Sequence, residues 1–480
     1  FLNSNKNLSS YSIDNETITG GDISDKTIIT HSKLFFNNCT FQGQVRFKPF
    51  NATCAKNPIE LNNCKLNDSI TISSYSNITS PSVIEINGLT EDITTKEFGA
   101  SLHILNCSNV RFRLNNLELS KFNIEKNQNS ETQIGESLEE KYISKIDHLR
   151  ISHNNGNFYY LNHLKVSKLL SFYYDNNSKF NLNSGIINRL NIYRFSDSNI
   201  VIGSVLNLLL CNTIDLKKSI IDTNSELVIK RGNYNSLKFK EIINKGIIQL
   251  MDFEITDTHG NEVNFKDANM GKTYITNVIF SIKNIKLNGS YLTDMKLSGI
   301  IWPEKNIIDR NYIAGYRFQG IPYLNALRDS YRQLKAMSIN AKDTVNALKF
   351  KANEMEVYLF QLKKENKRFS SDFAELYLSK WSSNFGLSIG KPVIRLLSIH
   401  LIIFFFVLLF SDFRGMTITF NPELMSWDNF FTSCSYYAEL LIPIRKFSSD
   451  LNSVVDIIMR MSSGFFIYHI IKATRKFAKL

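Results

Sequence analysis

Two apolar runs near the end of the chain constrain it most. VIRLLSIHLIIFFFVLLF, residues 393–410, is interrupted only by Arg395 and His400, both placed toward the end where they reach headgroups. As a helix this run rises about 27 Å, enough for the hydrocarbon core of a bilayer. VVDIIMRMSSGFFIYHII, residues 454–471, is less uniform, and Asp456, Arg460 and His469 would be costly against lipid. Asp456, Arg460 and Ser463 share one helical face and Gly464 lies beside it. The run therefore reads as a crossing with one lipid stripe and one stripe toward water or another subunit. An amphipathic helix on the membrane surface is the competing reading.

Between the runs lies FFTSCSYYAELLIPIRK, residues 430–446. Pro422 and Trp427 lead in, Pro443 interrupts any helix at the far end, and the helix expected over 428–442 is too short to cross. Crossing, short helix, loop, crossing is the topology of a two-crossing channel with a re-entrant helix. Irregular backbone at membrane depth needs cover from partner subunits. One copy cannot enclose a pore, so self-association into a ring, most simply four-fold, is expected. Glu439 is the candidate for a cation-attracting ring, and Asp456, Arg460, Ser463 and Gly464 for the pore lining. A helix lying outside the bilayer is the alternative. Lys380, Lys391 and Arg395 precede the first run, and Lys472, Arg475, Lys476 and Lys479 come after the second. The segment between carries more acids than bases, so the Lys/Arg bias puts both ends in the cytoplasm.

Residues 1–300 never sustain a helical period. Short apolar or alternating stretches are broken by Asn, Ser, Asp and Gly, which implies an all-β domain. Between 198 and 250, strands are expected at Ile200–Ile202, Leu206–Leu210, Ile220–Asp222, Leu227–Ile229, Leu237–Phe239 and Ile247–Leu250. FFNNCTF (35–41), LNNCKL (61–66), LHILNC (102–107) and LLLCN (208–212) repeat an Asn beside a Cys. Asn tolerates left-handed backbone and forms ladders between stacked coils. These phrases favour a parallel β-helix or pentapeptide-like solenoid over a sandwich or jelly roll. KNQNSETQIGESLEEK, 126–141, lacks an apolar period and reads as an exposed loop.

Charge is uneven. The chain carries +12 overall, and residues 141–240 hold fourteen Lys/Arg against six Asp/Glu. Cations neutralise phosphates and flat rings stack on unpaired bases, so this region has the composition of an oligonucleotide site. The candidates are Arg150, Lys165, Lys168, Tyr173, Tyr174, Arg189, Tyr193, Arg194, Lys217, Lys218, Lys230, Arg231, Tyr234, Lys238 and Lys240. The competing reading is a solvated basic face with its rings in the core.

Residues 301–390 form a helical neck. Leu324, Leu327, Tyr331 and Leu334 recur at helical spacing. Asp343 or Thr344 caps a second helix, and a third begins near Ser371. Glu354 and Glu356 face different ways on that second helix and read as solvated ion pairs. The domains are thus 1–300, a β-helical sensor; 301–390, the neck; and 391–480, a channel-like membrane module. The six cysteines are scattered and read as buried thiols in a reducing compartment. Phe1–Lys6 shows no basic-then-apolar leader pattern. No Gly-rich phosphate loop, metal-ligand spacing or clustered carboxylate pair appears, so no catalytic residue, metal or cofactor is expected and the chain reads as a non-enzyme. A membrane-anchored scaffold without conductance is the alternative function.

Trp302-Pro303, Tyr331-Arg332-Gln333-Leu334-Lys335, Phe350 with Glu354-Met355, Phe385-Gly386 and the ending Ala473–Leu480 carry a resemblance. The C-terminal third resembles a bacterial family that joins pentapeptide-repeat or β-helical sensors to a potassium-channel-like two-crossing module. Residues 432–445 contain no glycine, so the potassium-selective T-V-G-Y-G filter is absent. Proteins of this make-up are similar to membrane effectors of anti-phage defence, the channel effector of the Hailong system among them. The pore reading makes the assembly an inner-membrane homotetramer. The resemblance implies a nucleotidyltransferase partner whose DNA oligomer holds the channel shut.

Overall fold

The computed structural model describes residues 10–23, 33–47, 59–73, 82–91, 100–135, 144–203, 209–255, 262–281, 285–287, 289–302, 320–410, 413–416, 426–446 and 451–478. The chain divides into two compact units, Phe1–Arg317 and Phe318–Leu480.

The first unit is a parallel β-solenoid. Among the described residues every strand pairing is parallel, which excludes the antiparallel sandwich. A coil takes from 20 residues, Arg111 to Glu131, to 32, Ile70 to Leu102. Steps such as 23, from Ser10 to Lys33, are not multiples of five, so the coils are not built of pentapeptides. Inside, Leu149, Leu170, Leu190, Ile214, Leu237 and Val263 stack in register, all buried. Each such rung contributes about 2 kcal/mol of apolar burial.

The Asn–Cys phrases mark corners. Asn38, Asn63 and Asn106 take φ of 55°, 52° and 53°, and each directly precedes a buried cysteine: Cys39, Cys64 or Cys107. In the fourth phrase Cys211 is also buried, and Asn212 joins an outer ladder, donating to Asn188 at 3.1 Å and accepting from Asn235 at 3.0 Å. Cys434, by contrast, is exposed, and Cys54 lies outside the described residues. The strands expected between 198 and 250 are present as Asn199–Ile202, Leu209–Lys217, Ile220–Ile221, Glu226–Lys230, Asn233–Lys240 and Ile247–Ile255; residues 206–208 lie outside the described residues.

The segment 126–141 is corrected. It contains the strand Glu131–Ile134, and Asn127, Ser130, Thr132 and Ile134 are buried. Polar side chains occupy inward positions here, which erases the apolar period. Two of them meet backbone of a neighbouring coil: Cys107 N–H donates to Asn127 Oδ1 at 2.7 Å and Val110 N–H to Ser130 Oγ at 3.3 Å. Residues 136–141 lie outside the described residues.

The second unit is helical. Its neck comprises α1 (Ile321–Asn340), α2 (Thr344–Lys364) and α3 (Ser371–Ser383). Asp343 caps α2 by accepting from Asn346 N–H at 3.0 Å, and Ser370 caps α3 through Phe373 N–H at 3.2 Å. Asn384, at φ 52°, ends α3 in the left-handed region. Glu356 pairs with Lys380 at 2.8 Å. Glu354 is not solvated: it is buried, and accepts from Lys335 Nζ at 2.7 Å and Arg332 Nε at 3.2 Å, joining α2 to α1. Glu354→Gln is therefore expected to lower the stability of the neck by ~2 kcal/mol, read as a downward shift of the helical unfolding transition.

Beyond the neck come α4 (Gly390–Phe410), α5 (Trp427–Leu440) and α6 (Ser453–Ala478). α4 and the Ser453–Thr474 stretch of α6 are apolar over 21 and 22 residues, long enough to span a membrane. The neck and these helices belong to the same compact unit.

Candidate functional site: a basic solenoid face and a polar seam between apolar helices

On the solenoid, the register sorts the candidate cations into columns. Arg150, Ser171, Asn191, Asp215 and Lys238 stand in register on successive coils, between inward-facing neighbours; Ser171, Asn191 and Asp215 are buried. Two residues further along each strand run Ser152, Tyr173 and Tyr193; one step past the Ile192–Leu216 pair stands Lys217, which pairs with Lys240. The structure thus brings Arg150, Tyr173, Tyr193, Lys217, Lys238 and Lys240 onto one face. Arg189 joins them by pairing with Asp215 at 2.7 Å.

The rest are dispersed. Lys165 belongs to the preceding strand segment, in register with Lys145 and Ile186. Lys168 is held by Asp147 at 2.8 Å. Lys218 and Arg231 sit at left-handed corners near Glu241 and Asp252. Lys230 ends its strand beside Met251. The side chains of Tyr174 and Arg194 lie outside the described residues.

Two expectations for this face change. Tyr234 is a core residue, 1% exposed, with its hydroxyl donating to Lys230 O at 3.0 Å, so it offers no face to a base. Tyr173 and Tyr193 stack on each other at 4.5 Å and 8°, and Arg150 lies 5.1 Å from the centroid of Tyr173. Those rings are engaged with one another and with a guanidinium. Charge is also partly spent within the face. Glu262 is ringed by Lys286 at 2.6 Å, Lys238 at 3.0 Å and Lys240 at 3.8 Å. Burial works against its charge, but the hydrogen bonds from Lys286 and Lys238 outweigh it and hold the carboxyl at about 2. Among the described residues, Arg150, Lys165, Lys217 and Lys230 have no carboxylate partner. No group of three or more metal-ligating side chains occurs among the described residues.

In the helical unit, α5 is fixed by three contacts. Tyr437 Oη donates to Leu397 O at 2.7 Å. Leu397 lies about 20 Å before the end of α4 at Phe410 by helical rise. Glu439 is gripped by Arg414 through two bonds, 2.9 and 3.3 Å, with the guanidinium 4.4 Å from the centroid of Tyr436. Arg445 Nη1 caps the end of α5, donating to Leu440 O at 2.5 Å and Ile442 O at 3.2 Å. Phe404, Val407, Phe413, Leu440, Leu451 and Met459 close an apolar cluster around this end.

The polar stripe of α6 faces its own chain. Asp456 is 1% exposed and is shared between Arg445 Nη2 and Arg460 Nε, the latter at 2.9 Å. Ser463 is buried and lies 3.1 Å from His400 Nε2. Asp456 and Ser463 are thus buried against groups of their own chain and do not face an open lumen, and His400 faces this seam, not headgroups. Nearer the other end of α6, Ser383 Oγ lies 3.1 Å from His469 Nδ1. Glu439 is exposed but neutralised by Arg414. Gly464 is partly exposed, and beyond its own helix backbone and chain neighbours no described atom lies within 4 Å of where a side chain would start.

Comparison with family models, with curated proteins and with solved structures finds no match to this chain.

Proposed function

We propose that the chain is a non-enzymatic, ligand-controlled ion channel of a bacterial inner membrane, assembled from several copies, with the solenoid as cytoplasmic sensor and the neck as coupler. The carrying observation is α5. It is too short to cross, yet Tyr437 ties it about 20 Å down the flank of a membrane-length helix. A non-spanning helix at membrane depth is tolerated where neighbours cover it and it borders a watery path. The exposed aromatic half of α5, with Trp427, Phe430 and Phe431, is the surface that further copies would cover. Arg460 and Gly464 remain on the lumen side of this proposal, with Glu439 and Arg414 as a neutral pair at its mouth.

The ligand in this reading is a nucleotide or single-stranded DNA oligomer supplied by a nucleotidyltransferase partner. Lys165, Lys217, Lys230 and Arg150 supply charge for its phosphates. The ligand can govern the pore only by favouring one state over the other. A role in anti-phage defence and a four-fold ring rest on the make-up of the chain alone. The test is ion flux through liposomes holding the full-length protein, with and without a single-stranded oligodeoxynucleotide. Flux in one ligand state is expected, with Lys217→Glu weakening the ligand effect at least tenfold. Absence of flux in every state ends the proposal.

A membrane-anchored scaffold is the second reading. The inward-turned Asp456 and Ser463 favour it, because a plain anchor also needs its polar groups paired within the chain. It expects no flux.

A further inference from the structure

His400 stands ten residues into α4 and is fully buried. Its Nε2 lies 2.7 Å from Ser462 Oγ and 3.1 Å from Ser463 Oγ of α6. The Ser462 hydroxyl is already committed to Met459 O at 2.9 Å, so toward His400 it accepts. With Ser462 accepting, the imidazole proton is assigned to Nε2, and Nδ1 is the bare nitrogen. That Nδ1 is buried and has no partner among the described residues.

The charged and titratable groups around His400 offer a second proton no counter-charge. After α5, Arg445 is committed to Asp456 and to the carbonyls of Leu440 and Ile442. On α5, Tyr437 is occupied by Leu397 O, and Glu439 by Arg414. On α6, Asp456 is divided between two guanidiniums, and His469 meets Ser383. On α3, Lys380 is paired with Glu356 of α2. On α4 itself, Arg395 lies 4.5 Å from the Trp381 ring centroid.

The geometry points to His400 as a proton-binding site within the apolar unit: the neutral ring ties α4 to α6, and a proton on Nδ1 releases the tie. A proton on Nδ1 places a donor where the described residues offer no acceptor, and adds positive charge to a set already rich in guanidinium. Both effects oppose the closed seam. Intramembrane ionisable side chains carry such roles because their charge state is costly to change in place. Proton binding is separable from conduction, so the inference goes beyond the channel reading.

The test compares full-length wild type with His400→Gln in nanodiscs. Gln keeps a donor for Ser462 and does not titrate. On acidification from pH 7.5 to 4.5 the unfolding midpoint of wild type is expected to fall by several degrees more than that of His400→Gln. An equal fall in both overturns the inference. If the variant does not fold, hydrogen exchange of wild type decides. After correction for intrinsic rates, protection across α4 and α6 is expected to drop in acid, and retained protection overturns the inference. A chain that conducts nothing yet loosens in acid would sink the channel and leave this site standing.

Discussion

Asp456→Asn is expected to cost the helical unit about 3–5 kcal/mol, the largest effect of any single substitution in it. Asp456 accepts from two arginines, of which Arg445 is 6% and Arg460 18% exposed. Removing the carboxylate charge strands two guanidiniums in a region they cannot leave without breaking the end of α5, because Arg445 also caps Leu440 and Ile442. The attraction itself is not the source of the cost. Burying the three charges is expensive, and their mutual pairing does little more than offset it. The triple replacement Arg445→Met, Asp456→Leu, Arg460→Met is therefore expected to recover much of the loss. Glu439→Gln sets the contrast: its pair with Arg414 is 46% and 28% exposed, so ~0–1 kcal/mol is expected. Unfolding in nanodiscs reads all three. Equal losses for Asp456→Asn and Glu439→Gln would show that the buried triad does not staple α5 to α6.

Legibility depended on where the information sits. The solenoid was readable because its corners need left-handed backbone, and the Asn38-Cys39, Asn63-Cys64 and Asn106-Cys107 pairs state that locally. The neck was readable to its caps, since Asp343 and Ser370 act on amides three residues away. The segment 126–141 was not, because its inward residues are polar and their partners lie a coil away in sequence. Tyr234 misled for a related reason: an aromatic between polar neighbours looks the same whether it points in or out.

The same limit governs the membrane unit. Sequence marks Asp456, Arg460 and His469 as costly against lipid and sends His400 to the headgroups; in the structure Asp456 and His400 are both buried within the helical unit. Sequence does not say that Arg445 closes on Asp456 or that His400 meets Ser462 and Ser463, since those pairings arise only when the helices pack. The one local hint was Arg445, a cation just past the helix-breaking Pro443, where a capping side chain belongs. Likewise, counting cations between 141 and 240 could not reveal that Glu262, outside that window, binds three lysines.

The solenoid carries its own strong test. Three inward side chains form a ladder: Asn127 N–H donates to Asn154 Oδ1 at 3.0 Å, and Asn154 N–H and Nδ2 donate to Asp175 Oδ1 at 2.8 and 3.1 Å. Asp175 stands where the series would place another asparagine. Its burial raises the carboxyl from 3.8 to about 7, with the two bonds from Asn154 opposing the rise. The folded chain therefore holds a proton that the unfolded chain releases near pH 4. Stability is fully present below that pH, falls as pH rises toward about 7, and stays reduced above it. The span sets a ceiling of about 4 kcal/mol on the loss. Asp175→Asn keeps an oxygen for Asn154 and cannot ionise. At pH 8 it is expected to stabilise the solenoid by up to that ceiling, and at pH 4 by little. Urea unfolding of the full chain, monitored by its β-sheet signal at both pH values, measures the difference. Equal stabilisation at pH 4 and pH 8 would mean that Asp175 is not the buried acid this ladder makes it.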